Sequence, residues 1–277
     1  MSRTLDMQRF ETKADARQAV WDRLQRDGAA RFPFPPHGRI PNFAGAREAA
    51  RRLFELEPWK RAKRIKVNPD APQRYVREEA LRRGIVVFVP TPRLRAGFKR
   101  LDPAKIPIDK IAEAAALSTS RAWAEDLPLE DLPRLDAIVC GSVAVTPIGR
   151  RCGKGEGYSD LEYAILRELG HPPVPVATTV HDLQLVDEFP WDETDLPLSV
   201  IVTPTQTITV ADPPPPPAGI AWDRLTEKDL EDMPVLEDLR RLKGIGPIPR
   251  SARRAPDGLR AGRSGHGRTN VGRKKRG

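Results

Sequence analysis

Along the first two hundred residues, stretches with apolar positions at helical spacing alternate with short apolar runs. Residues 13–26 are strongly charged but carry Val20 and Leu24 on one side, and Ala46, Ala49, Ala50 and Leu53 follow an i, i+3, i+4, i+7 rhythm. Both stretches therefore read as amphipathic helices. Next come an alternating run at 62–67, a helical pattern over 73–83 closed by Gly84, and a continuous apolar run at 85–89. A helix between two strands is the unit that builds a parallel sheet. The rhythm repeats: a helix is expected over 108–122, a buried strand at 137–140, a helix over 161–169 ended by Gly170, and a strand at 174–180. Runs at 200–203 and 207–210, three residues apart, are expected to close the sheet as an antiparallel edge. The fold class that results is α/β, with three layers, a mostly parallel sheet and helices on both faces, in a Rossmann-like arrangement.

Punctuation along the chain divides it further. The run Pro213 to Pro217 forces an extended, stiff segment, so 213–219 reads as a linker after an α/β domain of residues 1–212. A short acidic helical appendage is expected within 220–249, near 226–242. Residues 250–277 are Arg, Gly and Ser with almost nothing to bury, the composition of a disordered tail.

Charge changes this picture less than its total suggests. The tail holds ten Lys or Arg and one acid, Asp257, which accounts for the whole formal charge of +9. The preceding part is formally neutral, so any non-specific attraction for nucleic acid belongs to 250–277. No window has the roughly 18 consecutive apolar residues that a membrane helix needs, and the first residues lack an apolar signal core. A cytoplasmic location with no membrane partner is the expectation. The two cysteines, Cys140 and Cys152, have no metal-ligand spacing and read as reduced buried thiols.

Chemistry concentrates in one turn, Gly149-Arg150-Arg151-Cys152-Gly153-Lys154-Gly155-Glu156-Gly157-Tyr158-Ser159-Asp160, which follows a buried strand and leads into a helix. Its glycines let backbone N–H groups approach a ligand, the helix start offers unpaired donors, and Arg150, Arg151 and Lys154 add positive charge, so a phosphate-bearing ligand fits. The spacing matches neither a Walker A loop nor the dinucleotide fingerprint. Ser159 followed by Glu162 also reads as a capping box, with Ser159 as the cap and Asp160 complementing the helix dipole. His181-Asp182 has no nucleophile elbow to serve and reads as structural.

This turn, followed by His181-Asp-Leu-Gln184-Leu-Val186 and Asp195-Leu-Pro197-Leu-Ser-Val-Ile-Val-Thr203, and preceded by Lys13-Ala-Asp-Ala-Arg17, resembles the 5-formyltetrahydrofolate cyclo-ligase family. The wording of the turn is closer to the divergent methenyltetrahydrofolate synthetase domain-containing branch. The resemblance implies an ATP- and magnesium-dependent ligase that converts 5-formyltetrahydrofolate to 5,10-methenyltetrahydrofolate by phosphorylating the formyl oxygen, with a reduced folate as substrate. It implies that Lys13, Arg17, Gly149, Arg150, Arg151, Gly153, Lys154, Gly155 and Gly157 hold ATP. Lys154 and Tyr158 act at the reacting groups, and Asp160 faces the magnesium. Four positions depart from the family pattern: Ser159 replaces a second Tyr, Glu156 a Lys, Thr146 an acid, and residues 68–74 lack the Glu that precedes Thr in the folate-contacting stretch. These departures suit an alternative, a paralogue that keeps a nucleotide or thiamine-type pyrophosphate pocket without ring closure. A third alternative is a nucleic-acid-associated role through the tail.

Overall fold

The computed structural model describes residues 8–246; the tail at 250–277, and every expectation about it, lies outside them. Eight strands form one sheet: β1 (Arg64–Val67), β2 (Val86–Pro90), β3 (Phe98–Leu101), β4 (Ala124–Leu127), β5 (Ala137–Cys140), β6 (Val176–Thr179), β7 (Val200–Val202) and β8 (Thr207–Thr209). Their order across the sheet is β8-β7-β6-β5-β1-β2-β3-β4. The five central strands, β7 to β2 in that order, run parallel, and β8, β3 and β4 pair antiparallel at the margins.

Strand alternation divides the core between two faces. Ile65, Val67, Val87, Val89, Ala137, Val139, Val200 and Val202 face α2 (Ala46–Leu53), α3 (Gln73–Arg82) and α4 (Ile111–Ala115). Phe88, Ile138, Cys140 and Ile201 face α5 (Tyr158–Glu168). The fold is the expected three-layer α/β arrangement. A third apolar cluster joins Ala16, Val20, Trp21 and Leu24 of α1 (Lys13–Arg26) to Val143, Ala144, Cys152, Val186 and Phe189. It lies against the short hairpin Ala144–Val145/Arg151–Cys152, which interrupts the path from β5 to α5.

The C-terminal segment belongs to the packed body. Ile220 and Leu225, and Met233, Leu236 and Leu239 of and beside α7 (Val235–Leu242), are buried in the same cluster as α5. A first short helix, α6 (Glu227–Asp232), is capped by Thr226 and separated from α7 by Met233-Pro234, so the expected acidic helix is two helices. Proline at the start of α7 removes a donor and ends the preceding turn.

One stretch differs from expectation. Residues 108–122 hold a single short α-helix, α4, between 3₁₀ turns, and strands β3 and β4 flank that region unannounced. Both strands carry charge on either face of a marginal hairpin, with Arg100 opposite Glu125 and Lys99 paired to Asp126, so neither shows an apolar alternation. Among the described residues no helix is long and apolar enough to cross a membrane.

Candidate functional site

In open α/β sheets the carboxyl ends of the parallel strands are where loops converge on ligands. Here those ends lead into Asn68 after β1, Gly141 after β5, His181 after β6 and Thr203 after β7. Gly141 is where the chain makes room: a Cβ there would stand 2.4 Å from Oδ2 of Asp70. The chain then runs through the hairpin into Gly153-Lys154-Gly155-Glu156-Gly157 and enters α5 at Tyr158. Gly157 is the N-cap, in the left-handed conformation (φ 72°) and with no side chain to cap, so the first-turn N–H groups are left to other acceptors. Ser159 lies inside the helix and is not its cap; its hydroxyl accepts from Nδ2 of Asn68 at 2.7 Å.

Lys13 and Arg17, one turn apart on α1, are carried to this turn by the packing of Ala16 and Val20 on the hairpin. Nζ of Lys13 lies 2.5 Å from both carboxylate oxygens of Asp195. The Arg17 guanidinium lies against Gly155, where an added Cβ would stand 3.4 Å from Cζ; Gly155 itself is left-handed (φ 107°). Arg151 is the most firmly held of the cations. Its Nε donates to the carbonyl of Gly141 at 3.0 Å and its Nη1 to Oδ1 of Asp160 at 2.9 Å. Burial works against its charge, but the Asp160 carboxylate, with Asp195 behind it, keeps the guanidinium above its ordinary range.

Not every expected residue reaches this cluster. Gly149 sits at the hairpin tip (φ 85°), where a Cβ would stand 2.6 Å from the carbonyl of Leu198, and its role there is to turn the chain. Arg150 points to Glu188 at 3.4 Å and to the carbonyl of Phe189 at 3.1 Å. Lys154 is on the turn but pairs with Glu156 at 2.8 Å, both side chains more than a third exposed. Tyr158 accepts from Nε of Arg93 at 3.1 Å and donates to Asp232 at 3.3 Å. His181 accepts the Leu183 N–H at Nδ1 and caps a 3₁₀ turn, and burial lowers its pKa, so it is a neutral structural imidazole.

Beneath the turn lies a polar group that sequence reading missed. Lys66 is buried on β1 on the face toward α5, with Nζ 2.5 Å from Glu162 and 3.0 Å from Asn68. A lysine between Ile65 and Val67 in a central strand was the available signal. Asp70 is the second omission. Burial and the Glu162 carboxylate push its pKa up, against the pull of Lys154, Arg151 and Arg77.

The magnesium expectation can be weighed on Asp160. Its Oδ1 is taken by Arg151 and by the Leu196 N–H at 2.9 Å, which leaves Oδ2 to meet a cation. Among the described residues no group of three or more His, Cys, Asp or Glu forms a metal cage. Magnesium carried on nucleotide phosphates needs only one or two protein carboxylates. One free carboxylate oxygen beside a cationic turn meets that need.

Fold and site together define a three-layer α/β protein with a cationic, glycine-rich turn at the carboxyl edge of its sheet. The model of the 5-formyltetrahydrofolate cyclo-ligase family matches residues 9–204, and the chain belongs to that family. It is 42% identical over 235 residues to a methenyltetrahydrofolate synthase domain-containing protein of Bos taurus, covering 83% of this chain and 62% of that protein. Against the Mus musculus protein of the same description it is 41% identical over 242 residues, with 85% and 65% covered. The chain thus spans less than two thirds of the length of these relatives. A 5-formyltetrahydrofolate cyclo-ligase of Escherichia coli is 37% identical over 75 residues, 27% of this chain and 40% of that protein. Among solved structures, the 5,10-methenyltetrahydrofolate synthetase of Aquifex aeolicus aligns with a TM-score of 0.47 at 18% identity, over 72% of this chain and 93% of that one.

Proposed function

We propose that the chain is an ATP-dependent ligase of the cyclo-ligase type, acting in the cytoplasm on a reduced folate. The reading rests on membership of the family and on one observation above others: Arg151 and Arg17 lie against Gly153 and Gly155 of the turn at the start of α5, and Lys13 pairs with Asp195, whose neighbour Leu196 is bonded to Asp160 of that helix. In this reading Arg17, Arg151 and the turn's N–H groups hold the phosphates of ATP, and Lys13 reaches them from its pairing with Asp195. Magnesium, when bound, neutralises the charge that develops on the transferred phosphoryl group. Oδ2 of Asp160 is the oxygen that would hold it.

The reaction follows from positioning two ligands. The formyl oxygen of 5-formyltetrahydrofolate attacks the γ-phosphorus and ADP leaves. N10 then attacks the activated formyl carbon, and departure of the oxygen as inorganic phosphate, which takes up the N10 proton, forms the 5,10-methenyl bridge. Guanidinium groups that are already buried and held by carboxylates need no reorganisation as phosphate charge develops. Mixing the full chain with MgATP and 5-formyltetrahydrofolate should produce the methenyl chromophore in proportion to enzyme. A flat trace at high enzyme concentration would sink the ligase reading.

A second reading draws on the Lys154–Glu156 pair and on Ser159 held by Asn68. With the turn's only ammonium paired internally, the site suits a phosphate or pyrophosphate ligand such as a nucleotide or thiamine diphosphate, bound without ring closure. That reading expects a rise in melting temperature with one of these ligands and no chromophore.

A further inference from the structure

At the open side of the turn a carboxylate from outside the matched family region is clasped by two side chains inside it. Asp232 closes α6, well past residue 204, where the family match ends. Its Oδ1 lies 3.0 Å from Nη1 of Arg93, its Oδ2 accepts from the Tyr158 hydroxyl at 3.3 Å, and Nε of Arg93 donates to that same hydroxyl. The guanidinium also lies 5.8 Å from the centre of the Tyr158 ring. Burial keeps the Tyr158 hydroxyl protonated and able to donate.

We propose that Arg93 and Tyr158 form a receptor for a carboxylate of the second ligand, and that Asp232 is a specificity-determining residue, an internal carboxylate that occupies this receptor until the ligand displaces it. The proposal rests on the folate reading above, since reduced folates carry carboxylates in their glutamate part.

Three features carry it. An arginine fork and a hydroxyl converging on one carboxylate form an arrangement of general use for acidic ligands. Arg93 and Leu94 both adopt left-handed backbone conformations (φ 57° and 52°), which non-glycine residues rarely take, while Leu94 is buried and anchors the bend. Strain of this kind holds Arg93 at the mouth of the turn. The clasp is also reachable: the Arg93 side chain is 43% exposed and that of Asp232 20%. A ligand carboxylate can replace Asp232 without leaving a buried charge unpaired, because the released aspartate passes to water.

The test compares 5-formyltetrahydrofolate with the primary amide of 5-formyltetrahydropteroate, which carries no carboxylate, by calorimetric titration of the full chain. A receptor that is open about a tenth of the time binds about tenfold more weakly than one that is always open. Asp232→Asn, with Asp232→Ser as a second variant, should therefore tighten 5-formyltetrahydrofolate by about that factor and leave the pteroate amide unchanged. Glu231→Gln makes the same change in charge on the exposed neighbour and should do neither. Adding Arg93→Gln should cancel the gain, and the melting temperature reports that each variant is folded. An equal gain for both compounds, an equal gain from Glu231→Gln, or no gain at all overturns the clasp. If the two compounds bind wild type and Asp232→Asn alike, the clasp falls and the ligase reading stands. If neither compound binds any variant while MgATP still binds, the folate reading falls and takes the clasp with it.

Discussion

Two cation–carboxylate pairs lie within ten residues of one another in the glycine-rich turn, at nearly the same separation. Arg151 and Asp160 meet at 2.9 Å, Lys154 and Glu156 at 2.8 Å. The Arg151 side chain is 3% exposed and is also bonded to the carbonyl of Gly141, and Asp160 is also bonded to the N–H of Leu196. The Lys154 and Glu156 side chains are 38% and 48% exposed. Distance therefore says little about what either pair does. A buried pair cannot lose one partner without stranding the other, whereas an exposed pair is screened and exchanges readily with water or a ligand. The first fixes the path of the turn, and the second is the adjustable part of its charge.

Breaking the fixed pair should have the largest effect. Arg151→Met leaves the Asp160 carboxylate without its cation and the Gly141 carbonyl without its donor and should cost about 4 kcal/mol, which is about 10 °C in melting temperature for a domain of this size. A loss under about 1 kcal/mol in urea unfolding would show that the turn is held by other contacts. The Lys66–Glu162 pair beneath it offers a sharper comparison. Lys66→Met alone should cost about 3 kcal/mol, while Lys66→Met with Glu162→Leu should recover most of that, since an apolar pair of similar volume removes the stranded charge. A double mutant as unstable as the single would mean that Asn68 and Ser159 depend on the charges themselves.

The legible part of the molecule was the part with a single period. Helices α1, α2 and α3 and strands β1, β2, β5, β6, β7 and β8 carry their apolar residues at helical or strand spacing or in continuous runs, and each lies where the pattern put it, within a residue or two at most ends. Strands β3 and β4 were hidden because the buried Phe98 and Leu101 of β3 flank a charged middle, Lys99 and Arg100, that pairs with Asp126 and Glu125 of β4, so no apolar period of two shows in either strand. Residues 108–122 combined helical spacing with good helix formers, yet the chain turns after Ala115 to reach β4. In the site, the cations of the turn and α1 were legible from residue type. Lys66, Asp70 and Asp232 were not, because their importance comes from tertiary neighbours far away in sequence. The C-terminal helices show the same limit: Met233, Leu236 and Leu239 are few, and only the α5 face gives them something to bury against.

Smaller effects test the exposed pair. Lys154→Ala should change stability by less than about 0.5 kcal/mol and yet weaken pyrophosphate binding. Glu156→Ala should leave that affinity equal or tighter, because it releases Lys154. The reverse order of effects would invert the account of the turn's charge.

The smallest effect concerns pH. Asp192 lies well below its ordinary range, at about 2: burial raises it, but the Thr194 N–H and the Arg224 guanidinium lower it more. A carboxylate depressed by folding stabilises the native state above its unfolded value near 4, and that contribution disappears as pH falls from about 4 toward 2. Both side chains are about 40% exposed, so the gain is modest. The melting temperature of wild type should exceed that of Asp192→Asn by a degree or two at pH 6, and the gap should narrow below about pH 4 and close only below about pH 2. A gap that persists there would assign the effect to the Asp192 hydrogen bonds rather than to its charge.

In the proposed function the turn from Gly153 to Gly157, with Lys13, Arg17 and Arg151, is the nucleotide site. Gly155→Val tests it most directly, because a side chain at φ 107° pushes the loop out of shape and would press on the Arg17 guanidinium while leaving the apolar clusters untouched. Calorimetry should show MgATP binding to wild type and at least tenfold weaker binding to a Gly155→Val chain that still unfolds cooperatively, a loss of about 1.4 kcal/mol or more. Equal affinity for the two chains, or no MgATP binding to wild type, would contradict the claim.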